Sequence, residues 1–240
     1  MRKVRSLALL FVVLSLMKQP LQAQPFTKKN IELSLSEGLS QFSSKDFEIG
    51  APQSSTPLPE RMRLEFGNQH ELRLNVITTR RFGVEGFYTH QSTNVLFEQR
   101  SDQGQQLTIP VGVDHFGASL LYYPLGTKDP KAWWPFLQVG GGAMIFRPTS
   151  DGKKIATDPL QGNLTDFFES SRSAITAGAG VKRTLGHSLG LRFDAGVTVA
   201  KAPTFGLPFD SDSPNASVLP INSRMTNFHA SVGIILYLWR

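Results

Sequence analysis

The strongest constraint on this chain is an alternation of apolar and polar residues that recurs about eight times along it. Its clearest copy is Leu189-Gly190-Leu191-Arg192-Phe193-Asp194-Ala195-Gly196-Val197-Thr198-Val199. There the odd positions are all apolar and the even ones are Gly, Arg, Asp, Gly and Thr. A strand sends successive side chains to opposite faces, so each copy has one greasy face and one charged or small face. In a soluble protein the greasy face covers a core. In a membrane barrel it meets lipid and the charges point inward.

The chain opens differently. Met1-Arg2-Lys3-Val4-Arg5 is basic, Ser6 to Met17 is almost wholly apolar, and Leu21-Gln22-Ala23 has the small or neutral character of a cleavage site. This pattern predicts a secretory signal over residues 1–23, cut after Ala23 and leaving one domain over 24–240. The apolar run is too short for a spanning helix, which needs roughly 20 residues. Arg2, Lys3, Arg5 and Lys18 lie in this segment and it holds no acid, so the 25 basic and 19 acidic residues of the chain become 21 against 19. That balance gives no basic patch of the kind nucleic-acid binding needs. With no Cys in the sequence, disulfide scaffolds, thiolate catalysis and zinc–cysteine sites are excluded. No later run approaches a spanning helix, as expected where only every second strand residue meets lipid.

Eight strands are predicted, at about 29–43, 62–78, 82–97, 109–124, 133–147, 167–184, 189–199 and from about 222 to the C-terminus. Two have imperfect phase. Glu37 falls on the greasy face unless a bulge shifts the register, and Asp114 and Leu121 are out of phase in the fourth strand. Between strands lie long polar loops at 44–61, 98–108, 148–166 and 201–221, alternating with short links at 79–81, 124–131 and 186–188. Outer-membrane barrels show this asymmetry, with long loops outside and tight turns on the periplasmic side. Phe82, Tyr122, Tyr123, Trp133, Trp134, Phe136, Tyr237 and Trp239 all fall near short turns or the C-terminus. That clustering predicts a periplasmic aromatic girdle made chiefly of Tyr122, Tyr123, Trp133, Trp134, Tyr237 and Trp239.

Pro135-Phe136-Leu137-Gln138-Val139-Gly140-Gly141-Gly142, Ala177-Gly178-Ala179-Gly180-Val181 and Leu189 to Asp194 resemble the small outer-membrane barrels of the OmpA/OmpX-like class. Ser231-Val232-Gly233-Ile234 followed by aromatics is similar to their closing strand. The resemblance spans most of residues 29–240. It implies an all-β, eight-stranded antiparallel up-and-down transmembrane barrel, monomeric, in a bacterial outer membrane. The ending Tyr237-Leu238-Trp239-Arg240 departs from the terminal Phe of many such barrels. No peptidoglycan-binding domain of the OmpA kind follows the barrel, so cell-wall tethering by that route is not expected.

Glu71, Arg73, Glu85, Lys182, Arg192 and Asp194 share the predicted inner face. An eight-stranded barrel is only wide enough to be filled by side chains, and isolated buried charges are costly, so these should pair as a lumenal network. His229 and Ser231 share a face with a spacing similar to that of outer-membrane lipid-A deacylases, but the alternation assigns both to the lumen. His70, His90 and His115 form no metal-ligand spacing.

The expected role is therefore non-enzymatic and needs no cofactor: membrane structure, adhesion or binding through the four loops. The alternatives are a narrow porin-like pore and a soluble lipocalin-like binder. Expected partners are outer-membrane lipid, the barrel-assembly and periplasmic chaperone machinery, and an extracellular ligand at loops 44–61, 98–108, 148–166 and 201–221, with no nucleic acid.

Overall fold

The computed structural model describes residues 31–43, 47–48, 59–99, 106–127, 133–158, 167–186, 188–205 and 224–238. Residues 1–23, where a signal segment is expected, and Trp239 lie outside the described residues. So do most of loops 44–61 and 201–221, and residues 100–105 and 159–166.

The strands are β1 (Ile31–Phe42), β2 (Phe47–Glu48), β3 (Pro59–Leu64), β4 (Gly67–Ile77), β5 (Phe82–Gln99), β6 (Gln106–Tyr122), β7 (Trp133–Pro148), β8 (Ser170–Thr184), β9 (Leu189–Lys201) and β10 (Arg224–Tyr237). One helix, α1 (Ser150–Thr157), follows β7. Eight of the strands close a wall in the order β1-β4-β5-β6-β7-β8-β9-β10, with β10 returning to β1, every pairing antiparallel. Beyond the break at residues 65–66, β3 continues β4 along the upper part of β5, and β2 adds to β3.

The registers fix the shape. Starting at Ile31, the paired residues run Val76, Val84, Leu120, Val139, Ala177, Val197 and Phe228, and return to β1 at Gln41. One lap thus advances ten residues, from 31 to 41. With the usual strand spacing and rise, eight strands and this stagger give a tilt of about 41° and a wall radius of roughly 8 Å. Such a barrel holds side chains and little else. The short connections lie at one end: Thr78 and Thr79 both donate their backbone N–H to Phe82 O, closing the β4–β5 turn, and Leu185 N donates to Leu189 O between β8 and β9.

Alternation sorts the side chains. Leu35, Leu72, Val84, Leu120, Val139, Ile175, Phe193 and Val232, one from each wall strand, are between 40% and 68% exposed on the outside. Water would not tolerate a contiguous apolar belt around a whole molecule; hydrocarbon does. The inward residues are polar or charged over most of the height, the inverse of a soluble barrel.

Glu37 falls on the outer face, as the alternation has it without a bulge: β1 pairs without interruption to both neighbours and Glu37 points outward beside His70. Two expectations need correction. The 148–166 segment is not all loop, because α1 forms over 150–157, with the Thr149 hydroxyl accepting from Gly152 N to satisfy its first turn. Nor do six aromatics form one outward girdle. Tyr123, Trp134 and Tyr237 are buried inside the barrel, while Trp133 and the half-buried Tyr122 take the outer face. In Tyr122-Tyr123 and Trp133-Trp134 the period of two puts neighbours on opposite faces, and Tyr237 is out of phase with the outward Leu236.

Candidate functional site

The candidate site is the barrel interior. At the short-turn end Lys182, fully buried, donates through Nζ to Glu32 Oε2 at 2.6 Å and to the Tyr123 hydroxyl at 3.1 Å. Asn75 Nδ2 donates to the same two oxygens at 2.8 and 3.2 Å. The Lys182 ammonium also lies over the rings of Tyr123 and Phe136, at 5.6 and 5.3 Å from their centroids. Ile77, Leu121, Tyr123, Trp134 and Phe136 close this level as an apolar cluster, which explains the out-of-phase Leu121.

Above it sits a charged layer. Arg192, from β9, donates to Glu85 through both terminal nitrogens, to Asp194 through Nε at 2.7 Å, and to Gln138 at 3.4 Å. Its guanidinium also caps the Phe136 ring at 4.9 Å. Arg73, from β4, binds Glu71 at 2.7 Å and Glu85 at 2.9 Å, and approaches Asp194 at 3.5 Å. Gln69 Nε2 donates to the other Glu71 oxygen. The paired charges have at most 5% side-chain exposure, and breaking such a pair strands an uncompensated ion.

Next comes a small polar chamber lined by Gln69, Arg73, Thr89, Gln91, His115 and His229 among others. Its volume is about 20 Å3, room for one or two waters and no larger solute. Unpartnered buried atoms such as His115 Nε2 and Gln91 Nε2 give such waters hydrogen-bonding sites. The mouth above is sealed by an apolar core in which Phe42, Val95, Ile109, Phe146 and Phe205 pack beneath Ala156 of α1. Phe167 stacks on Phe205 at 4.4 Å between centroids.

All six charges singled out in the sequence lie in the lumen: five in the Arg192–Arg73 layer, and Lys182 one level below. Sequence reasoning passed over Lys182's actual ion partner, Glu32, although the alternation of Ile31, Leu33 and Leu35 already placed it inward. Tyr123, expected in the outer girdle, faces the lumen. His229 and Ser231 do point inward, but the acid near them, Glu71, accepts from the Ser231 hydroxyl at a long 3.4 Å, with no histidine between them. A nucleophile–histidine–acid relay needs the histidine in the middle. Among the described residues no group of three or more His, Asp or Glu side chains could hold a metal ion.

On the outside, Trp133 is 6.3 Å from Phe193 and Phe82 is 5.3 Å from Tyr122, ring to ring, all near the short-turn end. Arg183 lies over Trp133 at 5.1 Å. Higher on the same surface, Asp114 accepts from the Tyr88 hydroxyl at 2.7 Å, lies 2.8 Å from His90 Nδ1 and pairs with Arg147. This is the reason an acid is tolerated in an outward position.

No protein-family model matches the chain, and no curated protein does. Solved structures do match. The outer membrane protein OprG from Pseudomonas aeruginosa is 12% identical, with 87% of this chain and 96% of OprG covered at a TM-score of 0.52. Neisserial surface protein A is 12% identical over 87% of this chain and 97% of its own, at 0.47. The outer membrane protein AlkL, solved in lipid bilayers, is 14% identical over 91% and 95%, at 0.46. At such identities similarity speaks to fold alone, and the match to OprG agrees with the closed wall, the apolar outer belt and the polar interior: the chain has the fold of the small, eight-stranded, OmpA/OmpX-like outer-membrane β-barrels.

Proposed function

We propose that this protein is a non-catalytic scaffold of a bacterial outer membrane, reached after export and removal of residues 1–23. In this reading the barrel anchors and the extracellular loops make the biological contact. The observation that carries it is the filled interior: an ion-paired layer, a chamber of about 20 Å3 and an apolar seal follow one another along the axis. Such a stack leaves little room along the axis for a solute, and among the described residues no hydroxyl in it is held by a histidine that an acid in turn holds. The charge network then serves the barrel's own stability and the outward aromatics fix its depth in lipid.

The test is current through planar bilayers containing the full-length protein. The proposal expects no stable unitary conductance above the bare membrane. Regular single-channel steps that change amplitude in Arg192→Ala would establish the pore reading instead.

A further inference from the structure

Across four consecutive strands, one hydrogen-bonded register row places Glu37, His70, His90 and Asp114 side by side on the lipid-facing wall. Elsewhere on that wall, the outward ionisable residues Arg147, Arg183, Lys201 and Arg224 lie at or near strand ends. The two halves of the row differ. Asp114 is covered, with 8% side-chain exposure and three partners in Tyr88, His90 and Arg147. Glu37 and His70 have only each other: His70 Nδ1 lies 2.8 Å from both carboxylate oxygens, and the side chains are 71% and 58% exposed.

Their depth makes this unusual. With the strand tilt derived above, each residue along a strand climbs about 2.5 Å and each step to the next strand about 3.1 Å. Glu37 and His70 then stand about 15 and 18 Å above the level of Ile31, while on the opposite wall apolar residues continue to Val199 at about 24 Å. Trp133 and Leu189 mark the lower edge about 1–3 Å beneath Ile31. The pair thus lies within the hydrocarbon, a few ångströms above its middle, where charge on a barrel's outer face is penalised most. Lipid headgroups do not reach that depth; a neighbouring protein wall does.

We propose that the β1–β4 wall is where a second copy of this chain docks, about a two-fold axis along the membrane normal. The arrangement is self-complementary. The axis brings β1 of each copy opposite β4 of the other, so Glu37 of one copy meets His70 of the second copy at nearly equal height. Each His70 meets its own Glu37 through Nδ1, which leaves Nε2 to meet the Glu37 of the second copy and close a ring of four side chains. Hydrocarbon supplies no competing partner, so a polar pair shared between walls is an effective glue where apolar contact alone is not. Leu35, Leu39, Leu72 and Leu74, between 43% and 57% exposed, surround the ring and exclude lipid from it. The lone barrel expected from the sequence becomes one half of a pair.

The chain has no Cys, so single cysteines can be placed cleanly. Full-length Leu72→Cys in lipid vesicles, treated with a bis-maleimide, is expected to run largely as a covalent dimer. Ile175→Cys, 68% exposed on the far wall, is expected to stay monomeric. Adding Glu37→Leu to Leu72→Cys should abolish the dimer band while the barrel keeps its heat-modifiable gel mobility. Glu37→Gln, which keeps the size and removes the charge, should give the same loss. The proposal is overturned if Leu72→Cys cross-links no better than Ile175→Cys, or if the folded dimer survives either Glu37 substitution. None of these readouts depends on conductance, so they stand apart from the closed-lumen proposal.

Discussion

Replacing Arg192 with methionine tests the energetic role of the interior most sharply. Arg192 is fully buried and donates to Glu85, Asp194 and Gln138. Methionine fills most of the volume and keeps contact with Phe136, so the change isolates the charge. Without Arg192, the Arg73 guanidinium is left alone against three carboxylates, Glu71, Glu85 and Asp194. Removing one member of a buried ion cluster costs about 3–5 kcal/mol, equal to roughly two to four powers of ten in the folding equilibrium. The assay is a urea titration of refolding into lipid vesicles, read by the heat-modifiable gel shift. Glu85→Gln in the same background removes one stranded anion, so the double variant should recover about 1–3 kcal/mol relative to additivity. A loss below about 1 kcal/mol for Arg192→Met, within the range of exposed pairs, would refute the view that this layer is dry and mutually dependent.

Other substitutions probe other levels. Val139→Arg, at mid-height on the outer wall, should cost about 2–4 kcal/mol in the same titration, whereas Leu189→Arg at the lower edge should cost about 0–1. Tyr123→Phe removes the hydroxyl that accepts from Lys182 and Asn75 and should destabilise by about 1–3 kcal/mol. Gly142→Val should prevent folding, because a Cβ there meets the Phe116 carbonyl and comes 2.8 Å from Gly117 Cα, whereas Gly86→Ala, with nothing within 4 Å, should fold normally. The yield of heat-modifiable protein distinguishes the two glycines.

The wall strands were legible because a membrane barrel writes its two faces into alternate letters. Leu189 to Val199 gives β9 almost to the residue. Where single letters broke the pattern, long-range contact decided the outcome. Glu37 invites a bulge in isolation, but it is held in an unbroken strand by pairing on both sides and by His70, thirty-three residues away. Asp114 is likewise explained only by Tyr88, His90 and Arg147, contributed by the flanking strands. For the aromatics, position along the strand indicated the correct end of the barrel, but the period of two had to be applied residue by residue. Doing so sends Tyr123 and Trp134 inward, where Tyr123 becomes part of the site. The helix α1 left little trace because Ser150 to Thr157 carries almost no apolar periodicity, only Ile155 and Ala156. Glu32 was readable as inward, but its match with Lys182, 150 residues later, follows from barrel closure and not from any local spacing.

The central claim is that one face of every wall strand lies in hydrocarbon and the other in a closed, ion-paired lumen. It is tested most directly by single spin labels placed in turn at residues 189 to 199 of the full-length protein in lipid vesicles. Collision with oxygen, which concentrates in hydrocarbon, should rise at Leu191, Phe193, Ala195 and Val197 and fall at Arg192, Asp194 and Gly196, with labels at the inward positions immobilised. A period-two pattern of the opposite phase, or uniform access of a water-soluble relaxant along the strand, would contradict it.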